Sequence, residues 1–478
     1  MMKLYLREDA AEYYREMLDV LRIFQPDFTW SEDSEGAETV WIEKIADDKE
    51  IMHIGETSLA VDQMGRETIQ EIRRARATVL YRYLKERLNS RGSKWGTLTG
   101  MRPNKLVHFR LDKGEDISSV KEWLISEFTC SEEKAALLTD VAALQRGFFE
   151  PREQAVKSAG VYVDIPFCPS RCSYCTFPSF NLPKPQKMAE YLTNLKREIA
   201  AAAEAAHERG QKIKEIYIGG GTPTTLNEAE LEDLLKVLQE QMGSDLVEFT
   251  VEAGRPDTLN RRKLEIMHEL GVSRISINPQ SMVEETLRRI GRRHTAADLE
   301  KKYYLAREVG FNNINMDLII GLPGERGEDF AYTLAKIAEM QPENVTIHSL
   351  ALKRSSRLKE EEGYKSEGAA IIEEMAAMAS EWVKAEGYVP YYLYRQKHMV
   401  NNLENIGYTK PGFESLYNIL MMEERQSIYG LGVGSSSKYV CSDGWCLDGD
   451  FNPRDLILYN ERIEEIIQRK VDKIRAIS

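Results

Sequence analysis

Between Val161 and about Ala351, short apolar, β-branched runs alternate with long amphipathic helical stretches. The predicted strands are Val161–Pro166, Glu215–Ile218, Glu248–Glu252, Arg274–Ile277, Asn313–Ile319 and Asn344–Ser349. The helices between them begin near Gln186, Asn227, Asn260, Ala296 and Gly327. Strands joined through helices run parallel, because each crossover returns the chain to the same end of the sheet. Such a sheet stays open or curls into a barrel. In βα barrels the chemistry gathers at the C-terminal ends of the strands.

The flanks read differently. Residues 1–155 form a mixed α/β extension. Short strands are predicted at Lys3–Arg7, Thr39–Lys44 and Thr57–Asp62, followed by a long helix from Arg66 to Asn89. GTLTGMRPNKL is a Gly/Pro-punctuated turn opening another helix. Helices follow at Ser118–Phe128 and Glu132–Gly147, and Arg152–Gly160 reads as a linker. The barrel segment spans 156–355. Residues 356–478 read as a small α+β domain: a helix at Ala369–Glu386, a strand at Tyr388–Tyr394, a long loop through Asn402–Gly412, then GLGVGSSS, a hairpin and a last helix near Pro453–Lys470.

At 478 residues the chain is long enough for two or three domains, each with its own core. A balance of 64 basic to 77 acidic residues leaves a net charge of −13, which argues against a general nucleic-acid binder. The N-terminal run MMKLYLREDAAEYY has no apolar core of a signal peptide, and no run of about eighteen apolar residues predicts a membrane span. Six cysteines in a chain of this size suit a reducing, cytoplasmic compartment.

Three of those cysteines, Cys168, Cys172 and Cys175, fall in VYVDIPFCPSRCSYCTF with C-x3-C-x2-C spacing, directly after the first strand of the alternating segment. Three thiolates can hold three irons of a [4Fe–4S] cube and leave the fourth iron open to a small molecule. Zinc is the alternative, since C-x2-C pairs also build zinc sites, although no fourth Cys or His follows nearby. Cys130 reads as packing at a helix start. Cys441 and Cys446 flank the turn SDGW, where a second metal site would have only two ligands.

Polar groups recur at the ends of the other strands. Gly219, Gly220, Gly221 and Thr222 allow close backbone approach to a ligand, or simply make a tight turn. Glu252 ends the third strand, Gln280 and Arg292 follow the fourth, and Asp317 lies on the fifth. Singly these are ordinary surface or capping groups. Together they outline the mouth of a barrel.

The cysteine motif followed by GGGTPT resembles the radical S-adenosylmethionine (SAM) superfamily. The strings YVDIPFC, YIGGGTPT, VEAGRPDTL, SINPQS, IGRRHT, NMDLIIGLPGE and GLGVGSSS resemble, more closely, the oxygen-independent coproporphyrinogen III oxidase (coproporphyrinogen dehydrogenase) family. WGTLTGMRP, LYRQK and ENIGY are similar to its HemZ-type branch. The likeness spans Tyr162 to the C-terminus. It implies a partial (β/α)6 TIM-like barrel in which Cys168, Cys172 and Cys175 ligate the cluster and SAM chelates the open iron. Gly220, Gly221 and Thr222 would hold the methionine end. Glu252, Gln280, Arg292 and Asp317 would contact SAM, and Tyr162, Tyr174, Ile319 and Ala351 would line the site, with Tyr162 and Glu252 as the catalytic residues. The implied reaction is oxidative decarboxylation of two propionates of coproporphyrinogen III to vinyl groups, giving protoporphyrinogen IX. A flavodoxin or ferredoxin would supply electrons.

The chain departs from the family pattern at Phe177, where the best-known members carry a further cysteine, and at Asp164, where they carry histidine. A related heme chaperone also lacks that cysteine and carries an H-N-x-x-Y-W motif. The matching stretch here, Tyr417–Met422, has no histidine. Carriage of heme or another tetrapyrrole, and methyl transfer with ring opening, are the alternative readings. For a substrate with four carboxylates, Arg171, Lys353, Arg354, Arg395, Lys397 and Lys410 are the basic partners, with Tyr391, Tyr392 and Tyr394 to cover a flat macrocycle. Those same residues also read as a solvated face and a packed strand. Met421 and Met422 read as core, and His294 and His348 as the histidines near the mouth.

Overall fold

A computed structural model describes residues 2–8, 14–25, 27–46, 48–64, 66, 68–100, 102–351, 358, 368–396, 403–441, 445 and 447–477. The chain divides into two compact units, Met1–Ala143 and Leu144–Ser478.

The first unit contains a four-stranded sheet in sequential order: β1 (Leu4–Leu6), β2 (Glu38–Ala46), β3 (Lys49–Ile54) and β4 (Thr57–Asp62). Its core gathers Leu4, Leu21, Phe28, Met52, Ile54, Leu80 and Leu84. The helix Ile69–Arg87 starts at a Thr68–Glu71 capping box, which pairs two N–H groups that the helix itself cannot satisfy. Arg76 on that helix is buried and bonds both oxygens of Glu50, at 2.7 and 2.6 Å. Two elements here escape the sequence reading: the helix Tyr14–Phe24 and strand β3, whose second residue is the buried, paired Glu50.

The second unit is organised on one sheet. Its strands are β5 (Ser158–Ile165), β8 (Lys212–Gly220), β9 (Glu248–Glu252), β10 (Arg274–Ser276), β11 (Ile314–Ile320), β12 (Asn344–Ser349), β13 (Val389–Tyr394), β14 (Asn405–Thr409), β15 (Ser427–Leu431), β16 (Ser436–Val440) and β17 (Leu447–Phe451). Between β5 and β8 lies a small two-stranded pair, β6 (Phe167–Cys168) and β7 (Phe180–Asn181). The order in the large sheet is 13-14-12-11-10-9-8-5-15-16-17. From β5 through β12 every neighbour is parallel. These six strands and their crossover helices are the predicted (β/α)6 core. In-register rows such as Val161–Ile216–Phe249 build its apolar interior.

The C-terminal segment extends this sheet at both edges. β14 pairs antiparallel with β12, and β15 pairs parallel with β5. The predicted loop Asn402–Gly412 is therefore corrected: Asn405–Thr409 is a fully buried strand. Gly407 within it lies under the Tyr392 ring, leaving no room for a side chain. The predicted linker Arg152–Gly160 holds a short helix, Arg152–Ala155, and the start of β5. The strands on either side of the SDGW segment, β16 and β17, pair antiparallel. Helix Pro185–Glu208 carries Glu198, fully buried, which accepts from Gly432 N–H (2.8 Å), Asn452 (2.8 Å) and Tyr459 (2.7 Å) and stands 3.4 Å from Lys470 Nζ. This network ties the closing helix Ile463–Ala476 to the barrel wall.

Candidate functional site

The cysteine loop leaves the C-terminal end of β5 and is pinned by backbone bonds. Phe167 C=O accepts from Thr222 N–H (2.8 Å), Pro166 C=O from Phe180 N–H (2.7 Å), and Ile290 C=O from Ser173 N–H (3.1 Å). The glycine run explains the first of these. Gly220 takes φ +103°, and a Cβ on Gly221 would fall 2.6 Å from the Phe167 carbonyl oxygen. Only a bare backbone lets the β8 turn lie against the cysteine loop.

Cys168, Cys172 and Cys175 line one cavity of about 460 Å³, within the range of small-molecule sites. The same cavity is lined by Tyr162, Tyr174, Gly220, Gly221, Thr222, Glu252, Gln280, Arg292, Asp317, Ile319 and Ala351. Residues scattered over nearly two hundred positions thus meet at one end of the sheet. Cys168 Sγ lies 3.6 Å from Thr222 Oγ1, and burial pushes the Cys168 and Cys175 thiols up. Among the described residues, no group of three or more His, Cys, Asp or Glu side chains stands close enough to hold one metal ion.

The carboxylates differ in how they are held. Glu252 accepts from the Tyr217 hydroxyl at 2.7 Å, and burial, reinforced by the nearby Asp317 charge, pushes its carboxyl up to about 7. Asp317 is equally enclosed. Burial opposes its ionisation, but the His348 ring, with the Asn315 amide (2.8 Å), keeps it below the usual carboxylate range. The Asn278 amide adds a bond to Asp317 at 2.7 Å. Gln280 has φ +65°, a left-handed conformation unusual for glutamine, held by Gln280 N–H to Asp317 C=O (2.9 Å) and Ile319 N–H to Gln280 C=O (3.1 Å). Arg292 donates to Gly254 C=O (3.0 Å), Asn278 C=O (2.8 Å) and the Tyr174 hydroxyl (3.1 Å), so it braces three separate loops.

The predicted substrate residues separate. Arg171 lines the cavity. Along β13 and the two residues after it, Tyr392, Tyr394 and Gln396 line the cavity, while Tyr391 and Arg395 are buried outside its lining. Lys410 bonds Gln341 at 2.8 Å, next to Thr409, which pairs with the first residue of β12. That is the end of the sheet remote from the cysteines. Lys353, Arg354, Lys397 and Cys446 lie outside the described residues.

Several lining residues escape the sequence reading. Arg255, in the quoted string VEAGRPDTL, donates to Ser170 C=O (3.0 Å) and stands 3.8 Å from Cys172 Sγ, while Asp257 holds its other face at 2.8 and 3.0 Å. An arginine three residues past a strand end was the available signal. Asn418, Met421 and Met422 also line the cavity, and Met422 packs with Tyr391 and Ile419 as well. His348 lines this cavity. His294 lines a second one.

Residues 162–337 match the radical SAM superfamily model. The chain is 38% identical over 388 residues to the oxygen-independent coproporphyrinogen-III oxidase-like protein HemZ of Bacillus subtilis, covering 80% of this chain and 77% of that one. It is 31% identical to the heme chaperone HemW of the same organism, over 59% of this chain and 70% of that one. Among solved structures it resembles coproporphyrinogen III oxidase (HemN) from Escherichia coli, a radical SAM enzyme, with TM-score 0.53 and 22% identity over 66% of this chain and 72% of that one. The donor set fits the superfamily's cofactors. Three cysteines share a pinned loop, a glycine edge lies beside them, and a half-buried carboxyl is left with one hydroxyl partner among the described residues. Among the described residues no helix is long and apolar enough to cross a membrane.

Proposed function

On the premise that this chain belongs to the radical SAM superfamily, and within it to the oxygen-independent coproporphyrinogen III oxidase-like family, we propose that it oxidatively decarboxylates propionate side chains of coproporphyrinogen III. Its cofactors are a [4Fe–4S] cluster and SAM. Cys168, Cys172 and Cys175 hold the cluster. Gly220, Gly221 and Thr222 would hold the methionine end of SAM, and Glu252 and Asp317 would contact it from β9 and β11. When bound, the reduced cluster and SAM would supply the radical chemistry that takes hydrogen from a propionate arm, with CO2 and one electron, passed to an acceptor, leaving as the vinyl group forms. The chain's own part is positional. Arg292 and Arg255 fix the loops around the thiols, Glu252 can carry a proton near neutral pH, and the apolar wall of Ile319, Met421 and Met422 excludes water. Arg171 offers a carboxylate partner at the rim.

The observation that supports this reading is the meeting of three cysteines and the sparsely bonded Glu252 carboxyl in one cavity. The test is an anaerobic incubation of reconstituted protein with SAM, a reductant and coproporphyrinogen III, read by mass spectrometry. Vinyl product with methionine and 5′-deoxyadenosine is expected, and Cys172→Ala is expected to abolish SAM cleavage.

A second reading, heme carriage, draws on the likeness to HemW. Tight heme binding with no propionate loss would select it. S-adenosylhomocysteine as product would select methyl transfer instead.

A further inference from the structure

A second concavity, of about 970 Å³, backs onto the cysteine loop. Ser170, Arg171 and Arg292 line both cavities, so the loop carrying Cys168 and Cys172 is the wall between them. The lining sets four arginines, Arg171, Arg288, Arg292 and Arg293, against one carboxylate, Glu284. Glu284 is engaged by the Ala296 N–H at 2.8 Å. Arg293 is exposed, and exposed Arg288 holds a surface pair with Glu285 at 2.6 Å, which a partner can displace at little cost. In a chain of net charge −13, a concavity this basic runs against the molecule as a whole.

His294 adds an independent sign. It is only 4% exposed, it lines the concavity, and neither ring nitrogen has a hydrogen-bond partner among the described residues. A buried imidazole without partners costs free energy until something supplies them. Burial and the neighbouring Arg292 charge hold it down to about 4, so at neutral pH the ring is uncharged, with one donor and one acceptor to offer.

We propose that this concavity docks the acidic surface of a one-electron carrier protein, which reduces the cluster across the 168–172 loop. The inference rests on the cluster assigned above and adds where its electron enters. One electron leaves the reduced carrier and one is gained by the oxidised cluster, with no bond made or broken and no proton required. Charge complementarity selects an acidic partner, and the shared wall places its contact within two residues of Cys168 and one of Cys172.

The test uses the full chain with its cluster reconstituted and a bacterial flavodoxin as probe. Binding is measured by calorimetry at low and high salt. Cluster reduction is followed by loss of visible absorbance, with reduced flavodoxin or with dithionite as donor. Arg288→Glu combined with Arg293→Glu is expected to weaken flavodoxin binding at least about tenfold and to slow flavodoxin-driven reduction in proportion, with dithionite-driven reduction unchanged. The neutral pair Arg288→Gln with Arg293→Gln is expected to fall between. Wild-type binding is expected to weaken with salt. Flavodoxin binding that ignores the charge reversals overturns the proposal. So does an equal slowing with dithionite, which would mean the loop itself was disturbed. SAM cleavage enters neither readout, so a protein that binds flavodoxin here yet cleaves no SAM refutes the enzyme reading alone.

Discussion

Glu248 and Glu252 stand at opposite ends of β9, four residues apart on one buried strand. Glu248, at the start, accepts from Thr250 Oγ1 (2.9 Å), Ser415 Oγ (2.8 Å) and Leu416 N–H (2.6 Å). Glu252, at the end, has the Tyr217 hydroxyl alone among the described residues, and burial pushes its carboxyl up to about 7. The same side chain on the same strand is knitted into the scaffold at one end and left short of partners at the other. A buried carboxylate normally collects its hydrogen bonds within the fold. Leaving one short is tolerable where a ligand completes the set, so the contrast marks which end of the sheet is for binding.

The sharpest way to break this contrast is to remove each carboxylate in turn. Glu252→Gln is expected to cut SAM binding and cleavage by about a hundredfold or more, with stability unchanged or slightly raised, because a half-buried acid with one hydroxyl partner among the described residues has been replaced. Glu248→Ala is expected to lower unfolding stability by about 3 kcal/mol, because the Ser415 hydroxyl and Leu416 N–H lose their acceptor, with SAM affinity of the folded fraction retained. Calorimetric titration of SAM and denaturant unfolding read the two arms. If both variants lose stability and neither loses SAM, the two ends of β9 are equivalent and the site is elsewhere.

A smaller effect follows from pH. SAM presents an amine and hydroxyls that favour an ionised Glu252. The carboxyl titrates near 7 in the free protein, so binding must first remove its proton when the pH lies below that value. Affinity is expected to fall about tenfold from pH 8 to pH 6, since at pH 6 only about a tenth of the protein is ionised there. Glu252→Gln is expected to flatten the profile. A wild-type profile that is flat, or that rises on acidification, contradicts the role given to Glu252.

The six core strands and their parallel pairing were legible in the sequence because β-branched runs and helical stretches alternate there. All six predicted core strands are present, and every residue assigned to cluster or SAM lines one cavity. What escaped has physical reasons. β14 reads NIGYT, with Asn and Gly at positions where strands prefer branched residues, and its burial depends on the Tyr392 ring lying across Gly407. β15 sits beside a glycine-rich turn, and its parallel partner β5 is more than two hundred and sixty residues upstream. Arg395 was assigned to the substrate from charge alone, whereas the alternation along β13 decides which of its neighbours reach the cavity. Pairing between distant segments carries no local signature, so these were the natural places for a linear reading to stop.

Glu325 decides whether a raised pKa by itself marks the binding end. It follows β11, is 1% exposed, and accepts from the Ser281 hydroxyl. Burial pushes it up to about 7, as with Glu252. Yet it does not line the cavity. Its folded-state pKa lies above the ordinary value of 4.5, so the native state holds this proton more tightly than the unfolded chain does. The resulting stabilisation is complete below pH 4.5 and is lost as the pH rises through about 7. Glu325→Gln, which cannot ionise, is therefore expected to gain on the wild type by on the order of 2–3 kcal/mol between pH 4.5 and 8, with SAM affinity unchanged at every pH. Denaturant midpoints across that range give the difference between the two proteins, in which all other titrating groups cancel. A variant that gains nothing at pH 8 shows that Glu325 ionises without penalty. A variant that loses SAM shows that the binding site reaches beyond the cavity walls, and that hydrogen-bond shortage at a strand end is not what separates Glu252 from Glu248.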